Sequence, residues 1–235
     1  MNTNNDAMGR AIAEYYEKGK ASKLRVFSPM FEEDEMPVEL LFRKYEQMPE
    51  LEQKALTLAR GKVLDVGAGA GCHSLYLQDK GFDVTALDIS SLSVETMKKR
   101  GVKNTLCQDF FSLEGKYDTI LMLMNGIGLV GKVEKLNYFF KHLDNILNEG
   151  GQVLCDSSDI CYIFEEDDGS FRIPLNGDYY GELTYQMQYK DTKGEEFDWL
   201  YIDFQTLESF AKDNGFNVEL IEEGPHYDYL CKIFR

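Results

Sequence analysis

The sequence predicts an α/β protein with a doubly wound, mostly parallel sheet of seven strands, the last of which is antiparallel. From residue 62 to residue 155, short apolar segments alternate with amphipathic ones, as in parallel sheets with right-handed crossover helices. The last two apolar segments, residues 217–221 and 227–234, are joined by a turn too short for a parallel connection. The length of 235 residues is enough for one domain with a buried core.

Hydrophobic periodicity assigns the elements in chain order. Helical periodicity covers residues 7–18 and 38–60, and Pro49 divides the second region into two helices because proline favours the first helical turn. We therefore expect an N-terminal helical cap over residues 1–60, followed by a domain over residues 61–235. Strands are expected at residues 63–66, 83–87, 104–107, 119–124 and 152–155, with helices at residues 72–80, 91–100 and 133–148.

The alternation stops after Cys155. Residues 157–180 are polar and acidic, and the segments 182–189 and 197–203 have the pattern of a hairpin around a turn at residues 191–194. A helix is expected over residues 206–214. We interpret residues 157–203 as an approximate insert that carries a β-hairpin.

Composition limits the classes of partner. The chain has 25 basic and 41 acidic residues, a formal net charge of −16. Such a charge disfavours nucleic acid and anionic lipid, which bind through Lys and Arg. The polar N-terminus lacks a signal-peptide pattern, and no apolar run approaches the length of a membrane helix. We expect a cytoplasmic protein without a metal site, with buried free thiols at Cys72, Cys107, Cys155, Cys161 and Cys231.

The most informative segment is a turn made of glycine and alanine. An apolar strand that contains Asp65 leads into Gly67-Ala68-Gly69-Ala70-Gly71, and a helix follows at once. Such a turn brings backbone N–H groups and a helix N-terminus close to a ligand. A second carboxylate, Asp88, ends the next strand. A small-molecule site at the carboxyl ends of the strands is therefore expected.

The pattern Asp65-x-Gly67-x-Gly69-x-Gly71 resembles the first motif of class I S-adenosylmethionine-dependent methyltransferases. The resemblance continues in order over residues 61–156, and a small-molecule-type group of the family also has similar residues at 48–50 and 197–200. The further motifs are Asp88 after the second strand, Gln108-Asp109-Phe110-Phe111 after the third, Met122-Leu123-Met124-Asn125 after the fourth, and residues 147–151 before the fifth. The resemblance implies a Rossmann-like fold and S-adenosylmethionine as cofactor.

The resemblance also implies a role for each cofactor-binding position. Asp88 would accept hydrogen bonds from the ribose hydroxyls, charge-assisted bonds of the stronger kind. Asp65 would bind the amino group of the methionine tail. The methionine tail and ribose would lie against the backbone of Gly67, Ala68, Gly69 and Gly71. The adenine would contact Ile89, Asp109 and Phe110, and the sulfonium would lie near Met124.

Candidates for the chemistry itself are few, because methyl transfer needs a base only if the acceptor must lose a proton. Asn125 and Asp156 end the fourth and fifth strands and are the best placed, with a loop hydrogen bond and a cap as their alternative roles. His73 is expected to be structural or adjacent to the cofactor. His142 is expected on a helix surface, and His226 in a turn away from the pocket.

Aromatic residues indicate where an acceptor could bind. The candidates are Asn125 together with Tyr15, Tyr16, Tyr179, Tyr180 and Trp199. The alternative is that these aromatics pack the hairpin on the sheet edge or form the contact of a homodimer. The segment 125–128 lacks the signature of amino-directed DNA methyltransferases, which together with the net charge of −16 predicts that nucleic acid is not the acceptor. A small molecule or a protein side chain remains, and of the two we expect a small molecule.

Two other functions stay open at this point. A nicotinamide-dependent oxidoreductase would need a third glycine or alanine where Cys72 stands. A module that binds S-adenosylmethionine or S-adenosylhomocysteine without turnover would have the same acidic positions.

Overall fold

The computed structural model describes residues 5–166, 168–172 and 177–235. Residues 1–4, and residues 167 and 173–176 of the predicted insert, lie outside the described part. The α-helices are α1 (Ala7–Lys18), α2 (Glu50–Leu58), α3 (Cys72–Asp79), α4 (Ser91–Arg100), α5 (Leu136–Ile146) and α6 (Phe204–Asp213). The strands are β1 (Leu24–Ser28), β2 (Phe31–Met36), β3 (Lys62–Val66), β4 (Asp83–Asp88), β5 (Asn104–Cys107), β6 (Tyr117–Met122), β7 (Leu147–Ser158), β8 (Glu182–Tyr189), β9 (Thr192–Leu200), β10 (Asn217–Glu223) and β11 (Asp228–Phe234).

The main sheet has seven strands in the order β10-β11-β7-β6-β3-β4-β5. Strands β3 to β7 pair in parallel, and β11 is antiparallel to both β7 and β10. The predicted fold class, a doubly wound Rossmann-like sheet with an antiparallel last strand, is therefore confirmed. The carboxyl ends of β3, β4 and β6 meet at one edge of this sheet.

Helices cover both faces of the main sheet, because successive strand residues point to opposite sides. On β6, Ile120 and Met122 pack with α5 and α6, whereas Leu121 packs with α2 and α3. Helix α4 lies against Ala86 of β4. These layers fix the strand ends that carry the candidate site.

A second, four-stranded sheet has the order β2-β1-β8-β9. The predicted hairpin is present as β8 and β9, but the pairing of β1 with β8 was not predicted. Strand β1 also pairs antiparallel with β2, so residues 24–36 form a hairpin within the segment expected to be a helical cap. The sequence analysis did not predict β2, because its acidic residues 32–35 are exposed and show no apolar alternation.

Several element boundaries also differ from the sequence prediction. Residues 38–60 contain two short 3₁₀ helices, Val38–Phe42 and Tyr45–Gln47, before α2 begins after Pro49. Helix α5 ends at Ile146, and β7 begins at the next residue and continues to Ser158. The hairpin turn is the pair Lys190-Asp191, with φ +53° at Lys190, and Gly194 stays inside β9.

His142 and two cysteines differ from expectation in burial. His142 is buried rather than exposed, because it lies on the α5 face between Phe139 and Ile146 and packs edge-on against Phe110 at 4.9 Å. All five thiols are free, but Cys107 is exposed and Cys161 half-buried. In the described residues, no helix has the length and apolarity needed to cross a membrane.

Candidate functional site

The glycine turn joins β3 to α3, and its three glycines all have positive φ, at +68°, +56° and +80° for Gly67, Gly69 and Gly71. Among the described residues, no atom lies within 4 Å of a Cβ placed on Gly67, whereas a Cβ on Gly71 would lie 3.0 Å from Val102 and 3.1 Å from Met97 of α4. Gly71 therefore lets α3 pack closely against α4, and Gly67 leaves the outer face of the turn clear. Ala68 is fixed by its N–H, which donates to the Leu87 carbonyl at 3.0 Å.

Asp88 holds the turn from the neighbouring strand. Its Oδ2 accepts from the Gly69 N–H and its Oδ1 from the Ser90 N–H, both at 2.8 Å. Burial raises the pKa of this carboxyl to about 6. Each oxygen has a second lone pair, so Asp88 can still accept two further hydrogen bonds. That capacity fits a pair of vicinal hydroxyls.

The segment after β5 lies beside Asp88, since the Gln108 N–H donates to the Asp88 carbonyl at 3.2 Å. Asp109 caps a 3₁₀ helix, Phe110–Ser112, by accepting from the Phe111 N–H at 2.8 Å. Phe110 is buried and packs against Phe139 and His142, whereas Ile89 is 48% exposed. Ile89 therefore offers apolar surface at this edge, and Phe110 supports the segment from beneath.

The segment after β6 has a constrained backbone. Met124 and Asn125 are consecutive non-glycine residues with φ +60° and +57°. Such conformations cost free energy and often occur at functional sites. The Asn125 N–H donates to Asp156 Oδ1 at 2.9 Å, which joins this segment to the end of β7.

The side chain of Asn125 makes two further hydrogen bonds. Its Nδ2 donates to the Leu200 carbonyl at 3.3 Å, and its Oδ1 accepts from Ser157 Oγ at 2.9 Å. These bonds match the loop role considered as its alternative. Asp156 is different: burial, and then the charge of Glu52, raises its pKa to about 7. It is therefore the group in this segment able to exchange a proton near neutral pH.

A group of buried charges lies behind the glycine turn. Asp65 is buried and its Oδ2 accepts from Ser74 Oγ at 2.6 Å. His73 Nδ1 lies 4.0 Å from Asp65 Oδ1, and His73 Nε2 lies 2.7 Å from Glu52 Oε2. Glu52 also pairs with Arg43. His73 is thus structural and close to the predicted cofactor contact.

Helix α1 covers the edge next to Asp88. Ser90 Oγ donates to Asp6 Oδ2 at 2.5 Å, and Asp6 also caps α1. Tyr15 packs on Phe42 with ring centroids 4.6 Å apart. Tyr16 is 40% exposed and donates to the Lys99 carbonyl at 3.1 Å. Both tyrosines thus pack α1 against its neighbours.

The other predicted aromatics lie beyond β7. Tyr179 donates to Asp203 Oδ2 at 2.6 Å, and Tyr180 donates to Asp159 Oδ1 at 2.7 Å. Trp199 lies directly over Gly128, where a Cβ would overlap its indole ring. A cavity of about 540 Å³ has Tyr180 in its wall together with Asp159, Cys161, Phe171, Asp203, Gln205, Thr206 and Ser209.

Sequence reasoning missed the groups that reach the site from the N-terminal segment. Asp6, Arg43 and Glu52 lie far from the glycine turn in the sequence and belong to no recognised motif. The only sequence signal that could have identified Glu52 was its place as a charged residue within the apolar stripe of a helix. In the described part of the chain, no three His, Cys, Asp or Glu residues are grouped as metal ligands.

A seven-stranded sheet of this order, with a glycine turn after its first parallel strand and an acidic residue after the second, is a Rossmann-like arrangement that fits the class of S-adenosylmethionine-dependent methyltransferases. The comparison with known families gives the same class. Residues 35–221 match the family described as a methyltransferase domain, and the chain belongs to that family.

Solved structures agree with the family. The chain is similar to an S-adenosylmethionine-dependent methyltransferase from Bacteroides fragilis, crystallised with S-adenosylhomocysteine, at 53% identity and TM-score 0.94 over 99% of this chain and 96% of that one. A methyltransferase from Clostridium acetobutylicum ATCC 824 is 17% identical with TM-score 0.57, over 83% and 94% of the two chains, and shares the fold.

One curated relative matches a short segment. It is the 23S rRNA (uracil(747)-C(5))-methyltransferase of Pyrococcus abyssi, 41% identical over 64 residues. That segment is 27% of this chain, and the chain spans 16% of the length of that enzyme. The match is too short to transfer a substrate.

The described residues fit S-adenosylmethionine as the cofactor. Asp88 has spare acceptor capacity for hydroxyls, Asp65 is a buried carboxyl beside the turn, and Ile89 presents apolar surface. The family and the structure bound to S-adenosylhomocysteine support the same cofactor and not a nicotinamide.

Proposed function

We propose that the protein transfers a methyl group from S-adenosylmethionine to a small-molecule acceptor, which binds beside Asn125 and Asp156. The observation that carries the proposal is the hydrogen bond from the Asn125 N–H to Asp156 at 2.9 Å, because it holds a carboxyl at the strand edge where Asp65 and Asp88 also lie. When bound, the cofactor supplies an electrophilic methyl group.

The residues of this chain have three tasks in the proposed reaction. Asp88 and the backbone of Gly67 to Gly71 would bind the nucleoside and tail, with Asp109 and Ile89 beside the adenine. Met124 would lie near the sulfonium. Asp156 would accept the proton that the acceptor loses, a role suited to its pKa of about 7. Positioning of the acceptor supplies much of the rate.

The acceptor region is proposed to extend from Asp156 toward Tyr180. An open depression of about 540 Å³ beside Asp159 and Asp203 would form the far end of this region, since neither Asn125 nor Asp156 lines it, and its volume is of the size that small ligands occupy. Tyr179 and Trp199 would shape its surroundings, whereas Tyr15 and Tyr16 would act through α1. The net charge of −16 supports a neutral or cationic acceptor over a polyanion.

The test follows the methyl label. The protein is incubated with S-adenosylmethionine labelled in the methyl group and with three fractions of a bacterial extract: molecules below about 1 kDa, RNA, and protein. We expect label in the small-molecule fraction. Label in RNA, the acceptor named for the Pyrococcus abyssi relative, would overturn the proposed acceptor class and leave the cofactor assignment standing.

A further inference from the structure

The buried charges behind the glycine turn form a chain across four segments. Arg43 follows the 3₁₀ helix Val38–Phe42, Glu52 lies on α2, His73 on α3 and Asp65 on β3. Arg43 pairs with Glu52, Glu52 Oε2 lies 2.7 Å from His73 Nε2, and His73 Nδ1 lies 4.0 Å from Asp65 Oδ1. All four side chains are at most 7% exposed.

This geometry favours the doubly protonated form of His73. Each ring nitrogen faces a carboxylate, so a neutral imidazole of either tautomer would turn a lone pair toward a negative charge. Burial alone would lower the pKa of His73, but Cys72, Glu52 and Asp65 together hold it well above its usual range. Burial raises the pKa of Asp65, and the charge of a protonated His73 acts against that shift. When both carboxyls are ionised, Arg43 and the imidazolium balance them, whereas a neutral His73 would leave one negative charge unpaired.

Asp156, at the end of β7, also interacts with His73, because the charge of His73 acts to lower the pKa of Asp156. Thus the groups that act on the imidazole are Arg43, Glu52, Asp65, Cys72 and Asp156. Asp65 differs from the rest because the family resemblance assigns it the amino group of the methionine tail. That tail carries an ammonium group, a second cation for the same carboxylate.

We infer that His73, held by Glu52, is a positioning residue for Asp65, and that its proton and the cofactor's ammonium group compete for that carboxylate. The inference rests on the cofactor role proposed for Asp65. Two cations beside one buried carboxylate repel each other. Binding of the ammonium group therefore lowers the pKa of His73. Cofactor binding should therefore release protons, and affinity should increase with pH while His73 titrates.

The experiment is calorimetric titration of the full chain with S-adenosylhomocysteine between pH 6.5 and 8.5, in two buffers with different ionisation enthalpies. 5′-Methylthioadenosine is the matched ligand, because it has the nucleoside but lacks the amino-acid tail. We expect S-adenosylhomocysteine to release at least about 0.3 protons more than this control, and its affinity to increase at least about threefold over the range.

Two variants identify the source of the proton. In His73→Gln the amide can still donate to Glu52, and we expect the release to fall to that of the control ligand. In Glu52→Gln the imidazolium loses one carboxylate, so the midpoint of the pH dependence should move down by about one pH unit. A thermal melt of each variant reports its folding, and the two-buffer comparison on the unaltered protein needs no variant.

Three results would overturn the inference, and a fourth would contradict the proposed function instead. Equal proton release for the two ligands, or release that persists unchanged in folded His73→Gln, would overturn it because the proton would come from elsewhere. An unmoved midpoint in Glu52→Gln would do the same. Failure of S-adenosylhomocysteine to bind at all would instead contradict the proposed function.

Discussion

The carboxylate of Asp88 accepts a hydrogen bond from the backbone N–H of Gly69 at 2.8 Å, and this bond joins the second parallel strand to the glycine turn after the first. One side chain therefore both shapes the turn and faces the expected ribose. A change at Asp88 should affect ligand binding more than folding, since the strand itself is held by its backbone ladder.

We expect Asp88→Ala to weaken S-adenosylhomocysteine binding by more than about tenfold, because a half-buried acceptor of two hydroxyls is lost. Calorimetry measures the dissociation constant. The matched control is Asp83→Asn, at the exposed start of the same strand, which should leave binding unchanged. An equal dissociation constant for Asp88→Ala and the unaltered protein would show that Asp88 does not contribute to binding.

Titration of the Asp88 carboxyl should make the affinity for the nucleoside part of the ligand depend on pH. Its pKa is about 6, so it becomes protonated as the pH falls through that value and loses acceptor strength. We expect the affinity for 5′-methylthioadenosine to fall between pH 7.5 and pH 5. In Asp88→Asn, which has no titrating group, this dependence should be absent; if it persists, another residue is responsible.

Asp156 predicts a stability that varies with pH. Burial raises its pKa from 3.8 to about 7, so the folded protein holds the proton more tightly than the unfolded chain does. The unaltered protein therefore loses the stability that this proton contributes as the pH rises from about 4 to about 7, whereas Asp156→Asn, neutral at this position throughout, lacks that contribution. The variant can still accept from the Asn125 N–H.

Denaturant unfolding at pH 5 and pH 8 measures this effect. Since one pKa unit is about 1.4 kcal/mol, we expect Asp156→Asn to gain on the order of 1–3 kcal/mol over the unaltered protein between the two pH values. Asp178→Asn is the control, because its carboxylate is 81% exposed. The variant should also lose methyl transfer; full activity would exclude Asp156 as the base.

The contact of Trp199 with Gly128 predicts a packing effect. A Cβ at residue 128 would overlap the indole, so we expect Gly128→Ala to destabilise the protein by about 1–3 kcal/mol. Trp199 is the only tryptophan in the sequence, and its fluorescence should report the displacement directly. In the part of the chain that the structure describes, a Cβ at residue 177 meets no atom within 4 Å, so Gly177→Ala is the control and should be neutral. An unshifted spectrum in Gly128→Ala would contradict the packing described.

The residues at the carboxyl ends of the parallel strands could be predicted from the sequence, because the motifs that identify them are local. Asp65, Gly67, Gly69 and Asp88 follow apolar strands at short spacing, and parallel pairing brings those strand ends together. The parallel part of the sheet followed from the same alternation of strands and helices. These features need no knowledge of distant residues.

The remaining features depend on contacts between distant segments. Glu52 meets His73 across 21 residues, and β1 pairs with β8 across more than 150 residues without an apolar pattern in its partner β2. His142 was misjudged because a single polar residue on an apolar helix is buried or exposed according to its partner, here Phe110. Such contacts leave no local sequence pattern.

The most direct test of the account is multiple-turnover formation of S-adenosylhomocysteine from S-adenosylmethionine, measured with and without the small-molecule fraction of an extract. We predict product in excess of the protein only when that fraction is present, and loss of this turnover in Asp88→Ala. Product that never exceeds the protein with small-molecule, RNA or protein fractions would indicate a binding module and contradict the proposed methyl transfer.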